Sequence, residues 1–206
     1  MADRFIAVTG GGGSESTSGV SVRDVHRFDI QGNSWEKLPD LNIPRHAHAS
    51  TSVDGNLYVF CGLSVTQQGE DAISSIEVLD DACSALDLIS MWRVITVAPS
   101  VLAPRFYPAV ALVSDDQIAI IGGLGFDEAG DLGVMGDVVV FDAVAQTAEA
   151  RVRNMPGLIQ ICSQGNQAAS VGDETVVLLG TDAELGNKRI IEYKFGSRML
   201  REIGRA

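Results

Sequence analysis

His46 and His48 stand one residue apart. Alternate residues of a strand share a face, so both imidazoles can point to one side. Such a pair could hold a metal if a third ligand joined it. The remaining histidine, His26, lies in a different stretch. A loop residue followed by an inward-facing strand residue is therefore the preferred account, and no metal site is expected. Gly10-Gly11-Gly12-Gly13-Ser14 has the glycine content of a phosphate loop, but it lacks the Gly-Lys-Ser/Thr that grips phosphate, and no amphipathic helix pattern follows. Gly123-Leu124-Gly125 follows an apolar run as a dinucleotide turn would, yet Phe126-Asp127-Glu128-Ala129-Gly130-Asp131 offers no helix start. Both stretches read as loops between strands. Asp127, Glu128 and Asp131 form one acidic loop and Glu70-Asp71 another, neither with calcium-loop spacing. There is no Gly-x-Ser-x-Gly elbow, no HExxH, and no cysteine paired with an evident histidine. The chemistry-bearing residues thus assign no catalytic group and no cofactor.

Composition narrows the partner class. Against 15 Lys and Arg stand 27 Asp and Glu, a net charge of −12, which repels a phosphate backbone and an anionic membrane surface. A basic protein partner is favoured electrostatically. The first residues run straight into a strand-like stretch rather than a leader, and no apolar run is long enough to span a bilayer. Cys61, Cys83 and Cys162 are odd in number and form no CxxC. They read as small buried hydrophobes in a reducing compartment, and a cytoplasmic location is expected.

The elements that would position these residues repeat. Four strands end in glycine: Phe5 to Gly11, Leu57 to Gly62, Ile118 to Gly123 and Val176 to Gly180, at spacings of 51, 61 and 57 residues. Each precedes a loop and a second strand: Val25 to Asp29, Ile76 to Asp80, Val138 to Asp142 and Ile190 to Lys194. From the second unit onward a third strand comes first, with Asp54-Gly55 as a hairpin turn. A fourth strand closes each unit, marked by Trp35, Trp92, Ala150 to Val152 and Met199 to Ile203. Units of about 50 residues built from four short strands have the period of a propeller blade. Runs such as Val138-Val139-Val140-Phe141 suit strands buried on both faces between blades.

In its order of motifs the chain resembles the kelch family. The first unit carries Gly10-Gly11, Phe28-Asp29, Trp35, Leu38-Pro39 and Pro44-Arg45. The second carries Gly62, Leu79-Asp80, Trp92 and Pro104-Arg105, and the third Gly122-Gly123, Phe141-Asp142 and Met155-Pro156 without a Trp. The fourth is degenerate, with one glycine and Tyr193-Lys194. The resemblance implies an all-β, kelch-type β-propeller of about four four-stranded antiparallel blades. Residues 1–206 then form one domain with repeats near 1–45, 46–104, 105–156 and 157–206. Kelch rings usually have six or seven blades, so an incomplete propeller is expected; a compact four-bladed ring and a ring completed by a second copy are the alternatives. Open blade edges would favour self-association. In this pattern Trp is expected to pack between blades.

The resemblance also implies a function: a non-catalytic protein–protein interaction module, an adaptor or scaffold whose partner docks on loops at one end of the propeller. By position the contact residues are Gly12, Leu63 and Leu124 after the glycine strands, and Arg45, His46, Ala47, Arg105, Phe106 and Tyr107 around Pro-Arg. Phe106 and Tyr107 beside an arginine have a hot-spot composition. Arg45 and Arg105 could equally brace loop carbonyls. The alternative function is a kelch-like enzyme acting on a sugar or another small molecule, of the oxidase or isomerase type. No copper set of His, Tyr and Cys assembles from these residues. A third reading is a segment of a larger adaptor, such as a ubiquitin-ligase substrate receptor, which rests on sequence outside these residues, since they hold no BTB-like helical region.

Overall fold

In the computed structural model the described residues are 4–12, 19–80, 91–127, 129–153, 167–172, 174–181 and 187–205. Cys83, Cys162, Glu128 and Met155-Pro156 lie outside them. Regular structure in these residues is all β, arranged as successive antiparallel sheets. The first sheet holds β1 (Phe5–Thr9), β2 (Val25–Asp29) and β3 (Ser34–Leu38) in sequence order. In the second unit β4 (Ala49–Val53), β5 (Asn56–Phe60), β8 (Ile76–Leu79) and β9 (Arg93–Ile95) form a sheet in that order. Between β5 and β8 a separate hairpin rises, β6 (Leu63–Thr66) with β7 (Gly69–Ala72).

The third unit repeats the plan. Its sheet is β10 (Ala109–Leu112), β11 (Gln117–Ile121), β14 (Val138–Asp142) and β15 (Thr147–Val152). Its extra hairpin pairs β12 (Leu124–Phe126) with β13 (Leu132–Val134). The fourth sheet is β16 (Gln167–Ser170), β17 (Thr175–Thr181), β18 (Lys188–Lys194) and β19 (Met199–Arg205). These sheets are the blades of the propeller. Although its motif is degenerate, the fourth unit still makes a blade. It keeps an inward alternation of apolar residues, Val176 and Leu178 on β17 with Ile191 and Tyr193 on β18, all buried.

The core lies between blades. Val25 and Leu41 of the first unit pack with Leu57, Val59, Leu79 and Trp92 of the second. Tyr58, Phe60, Ile76 and Val78 of the second pack with Ile118, Ile120, Val139 and Phe141 of the third. Ala119, Ile121 and Val138 of the third pack with Val176, Leu178, Ile191 and Tyr193 of the fourth. A middle blade therefore buries both faces, and Val138-Val139-Val140-Phe141 is buried throughout.

The recurring order of motifs has local causes. The aspartate that follows the aromatic residue seeds the next turn: Asp29 Oδ1 accepts the Gln31 and Gly32 N–H groups. Asp142 Oδ1 likewise accepts those of Val144 and Ala145. Trp92 is buried between the first and second blades and donates its indole N–H to Pro39 O. Trp35 departs from the expected packing between blades. It is 59% exposed and leans on Phe28, 5.1 Å away, because it sits on the face of the first blade turned away from the second.

Candidate functional site

The Pro-Arg segments and the two extra hairpins share one end of the propeller. Each β4-type strand begins where its β5-type partner ends (Ala49 opposite Phe60, Ala109 opposite Ile121). The residues before the one therefore meet those after the other. Bridges join His46 to Leu63 and Phe106 to Leu124, while Gly12 to Ser21 in the first unit corresponds to the hairpin pairs Leu63 to Ala72 and Leu124 to Val134.

Arg45 and Arg105 lie beneath this surface. Both side chains are fully buried. Arg45 donates from Nη1 to Cys61 O (2.7 Å) and Ser75 O (3.2 Å), and from Nη2 to Ser75 Oγ (3.2 Å) and Glu77 Oε1 (2.7 Å). Arg105 donates to Ala103 O and Gly122 O, and forks onto both oxygens of Asp137 at 2.8 Å. Their own carbonyls accept N–H groups from the preceding blade, Gly11 N to Arg45 O (2.9 Å) and Gly62 N to Arg105 O (2.8 Å). Each arginine thus holds one blade with its side chain and the previous blade with its backbone. Burial pushes the Arg45 guanidinium down from its ordinary pKa, and Glu77 opposes that shift. The expectation that these arginines touch a partner is corrected: each guanidinium has no exposed surface, and its Nη groups are spent on internal acceptors.

The other expected residues divide. Leu63, Phe106 and Leu124 are also buried, forming a small apolar cluster under the hairpins, so they support the surface without facing a partner. Tyr107, His46 and Ala47 are partly exposed and Gly12 is exposed. Ala47 and Tyr107 occupy equivalent places and share a left-handed backbone, φ +51° and +55°. Tyr107 N donates to Ala47 O at 2.6 Å, tying the two loops together. Non-glycine residues adopt this conformation at a cost, and such positions cluster at functional sites.

His46 and His48 each bond within the fold through one ring nitrogen. His46 Nδ1 lies 2.8 Å from Ser21 Oγ, and His48 Nε2 lies 2.8 Å from Thr9 Oγ1. Both join the first blade to the second. Burial, with help from the Arg45 charge, lowers the His48 pKa to about 4. Among the described residues no group of three His, Cys, Asp or Glu is placed to hold a metal. Burial also pushes the Cys61 thiol up to about 11, which leaves it a poor nucleophile.

Two exposed residues escaped the sequence reading. Phe126 (44% exposed) and Leu132 (57% exposed) lie opposite each other on β12 and β13. Phe126 stands 6.0 Å from Phe106, whose ring is 5.6 Å from Tyr107. An apolar stripe thus climbs from the buried cluster to the hairpin tip. Exposed acidic groups stand on both hairpins: Asp127 and Asp131 at that tip, Glu70 and Asp71 on β7. Asp127 has a structural task as well, accepting the Ala129 and Asp131 N–H groups at 2.9 Å. The alternation Leu124-x-Phe126 with Leu132-x-Val134 was the available signal, but three-residue strands are too short to stand out from a glycine-rich loop.

Residues 44–83 match the kelch motif. That segment runs from Pro44-Arg45 through the glycine strand to the end of β8 and just beyond, the unit whose hydrogen bonds are described above. The second unit of the chain thus carries a kelch motif. It is similar to two kelch relatives from Arabidopsis thaliana. One F-box/kelch-repeat protein is 46% identical over 54 residues, 26% of this chain and 16% of that protein. Another is 37% identical over 75 residues, 36% of this chain and 19% of that protein. Among solved structures, that of YjhT superposes with a TM-score of 0.66 at 16% identity, over 96% of this chain and 65% of that one. At that identity the likeness concerns the fold, a kelch-type β-propeller. The matches span under a fifth of the length of the curated relatives and under two thirds of the solved structure.

Proposed function

We propose that this kelch propeller is a non-catalytic interaction module whose partner docks on the hairpin end. The observation that carries the reading is the exposed pair Phe126 and Leu132, raised on a hairpin and continuous through Phe106 with Tyr107. Aromatic and aliphatic side chains on a rigid, internally braced support make effective anchors, because little conformational entropy remains to be lost on binding. The buried arginines, the Tyr107–Ala47 hydrogen bond and the Leu63–Phe106–Leu124 cluster supply the rigidity. The relatives support the reading in that they join kelch repeats to an F-box, so there the repeats form one part of a larger protein. The exposed acidic groups favour a partner with basic residues around an apolar anchor.

The test is affinity capture with the wild-type chain and with Phe126→Ser/Leu132→Ser, both first shown to be folded. Retention of a protein by the wild type and its loss from the variant is expected. Equal capture by both chains rules out this surface.

A further inference from the structure

Successive junctions between blades are built from equivalent positions, which the cross-strand register identifies. Tyr58 opposite Val78 in the second blade corresponds to Ala119 opposite Val140 in the third. Both positions face the following blade. Tyr58 spans its junction: its ring lies 5.9 Å from that of Phe141, and its hydroxyl donates to Ala143 O at 3.5 Å. Ala119 ends at its methyl group, so the junction between the third and fourth blades lacks this phenol. The equivalents of Phe141 and Ala143 across that junction are Tyr193 and Phe195.

A cavity of about 290 Å³ lies there, between Val140 and Phe195 and at the end of the molecule opposite the extra hairpins. Val113, Val140 and Phe195 give it an apolar floor, and the exposed Arg151, Glu174 and Arg198 stand on its rim. Arg198 holds the position of Gln146 in the third blade, and the two share a left-handed backbone, φ +52° and +54°. Beside them Tyr193 is fully buried, and its hydroxyl has no hydrogen-bond partner among the described residues. Burial raises the pKa of that hydroxyl, and the nearby Arg198 charge opposes the rise. The fold does not require the vacancy, since the preceding junction fills the same place with its own side chain. A cavity with an apolar floor, cationic groups at its mouth and an unsatisfied hydroxyl beside it has the make-up of a small-ligand site.

We propose that this cavity binds a small one-ring aromatic acid. The ring takes the place of the Tyr58 phenol, against Val113, Val140 and Phe195, and the carboxylate meets the guanidiniums of Arg151 and Arg198. Planar carboxylates suit guanidinium donors, which can hold both oxygens at once. Arg151 also reaches Glu149 at 3.3 Å, so Arg198 is the more telling residue to change.

Titration calorimetry of the chain with 4-hydroxybenzoate tests this, using wild type, Ala119→Tyr and Arg198→Gln, each confirmed as folded by circular dichroism. Each substitution imports the residue that the preceding blade carries at the same position. Wild type is expected to bind one equivalent with Kd below about 1 mM. Ala119→Tyr is expected to abolish binding by filling the cavity. Arg198→Gln, at an exposed position, is expected to weaken it at least about tenfold. Phenol, which lacks the carboxylate, is expected to bind wild type more weakly by a similar factor. Absence of saturable binding to wild type overturns the proposal. So does binding that Arg198→Gln and Ala119→Tyr leave unchanged, or phenol binding as tightly as the acid.

Discussion

Arg45 and Glu77 form an ion pair 2.7 Å long in which neither side chain has any exposed surface. The pair closes a larger network. Glu77 also accepts the Asn42 and Ile43 N–H groups and the Asn42 side-chain amide, which itself donates to Trp92 O. A buried pair of this kind contributes little over a well-packed apolar substitute, but breaking it strands a charge. In the third blade the same task falls to Asp137, two residues earlier in register than the Glu77 position.

Removal of one partner is therefore costly. Glu77→Ala is expected to lower unfolding stability by about 3–5 kcal/mol, measured by urea denaturation with the slope unchanged. A loss below about 1 kcal/mol would show that the Arg45 charge finds relief elsewhere.

His48 links stability to pH. Its pKa lies near 4 in the folded chain against 6.5 ordinarily, chiefly through burial. Between those values the unfolded chain binds a proton that the folded one refuses, so stability is full above pH 6.5 and falls as the pH drops towards 4. The loss attributable to His48 is at most about 3 kcal/mol. His48→Gln keeps a polar group near Thr9 and is expected to flatten the unfolding midpoint across that window. A slope identical to wild type would assign the dependence to other groups.

Glycine matters where the backbone demands it. Gly62 has φ +107°, and a Cβ there would lie 2.9 Å from both His46 O and His48 Cβ. Gly12 faces open space, with no atom within 4 Å of the corresponding point. Gly62→Ala is expected to cost about 1–3 kcal/mol, whereas Gly12→Ala stays within about 0.5 kcal/mol. Thermal unfolding of the two variants side by side checks this, and equal effects would contradict it.

The blades were legible because their signals are periodic and redundant: a strand ending in glycine and a second strand ending Phe28-Asp29, Leu79-Asp80, Phe141-Asp142 or Tyr193-Lys194 recur in register. The turn-forming role of Asp29 and Asp142 is local and follows from residue type. The candidate residues gather at one end of the molecule, but five of them lie beneath its surface. Arg45, Arg105, Leu63, Phe106 and Leu124 are spaced as the pattern requires, yet spacing does not say which side chain ends under a hairpin. That outcome depends on β6–β7 and β12–β13, whose short strands carry almost no periodic signal. Trp35 was misread for a related reason, since its burial depends on a neighbouring blade rather than on its own repeat.

The most direct test of the account is amide hydrogen exchange on this chain, alone and with a partner retained by the wild type and lost from Phe126→Ser/Leu132→Ser. Protection is expected within 63–72 and 124–134, with the Asp54-Gly55 turn at the opposite end unchanged. Protection confined to that opposite end, or to Ser50, Ala109 and Gln167, which line a cleft between the first strands of three sheets, would contradict a docking surface built on the hairpins.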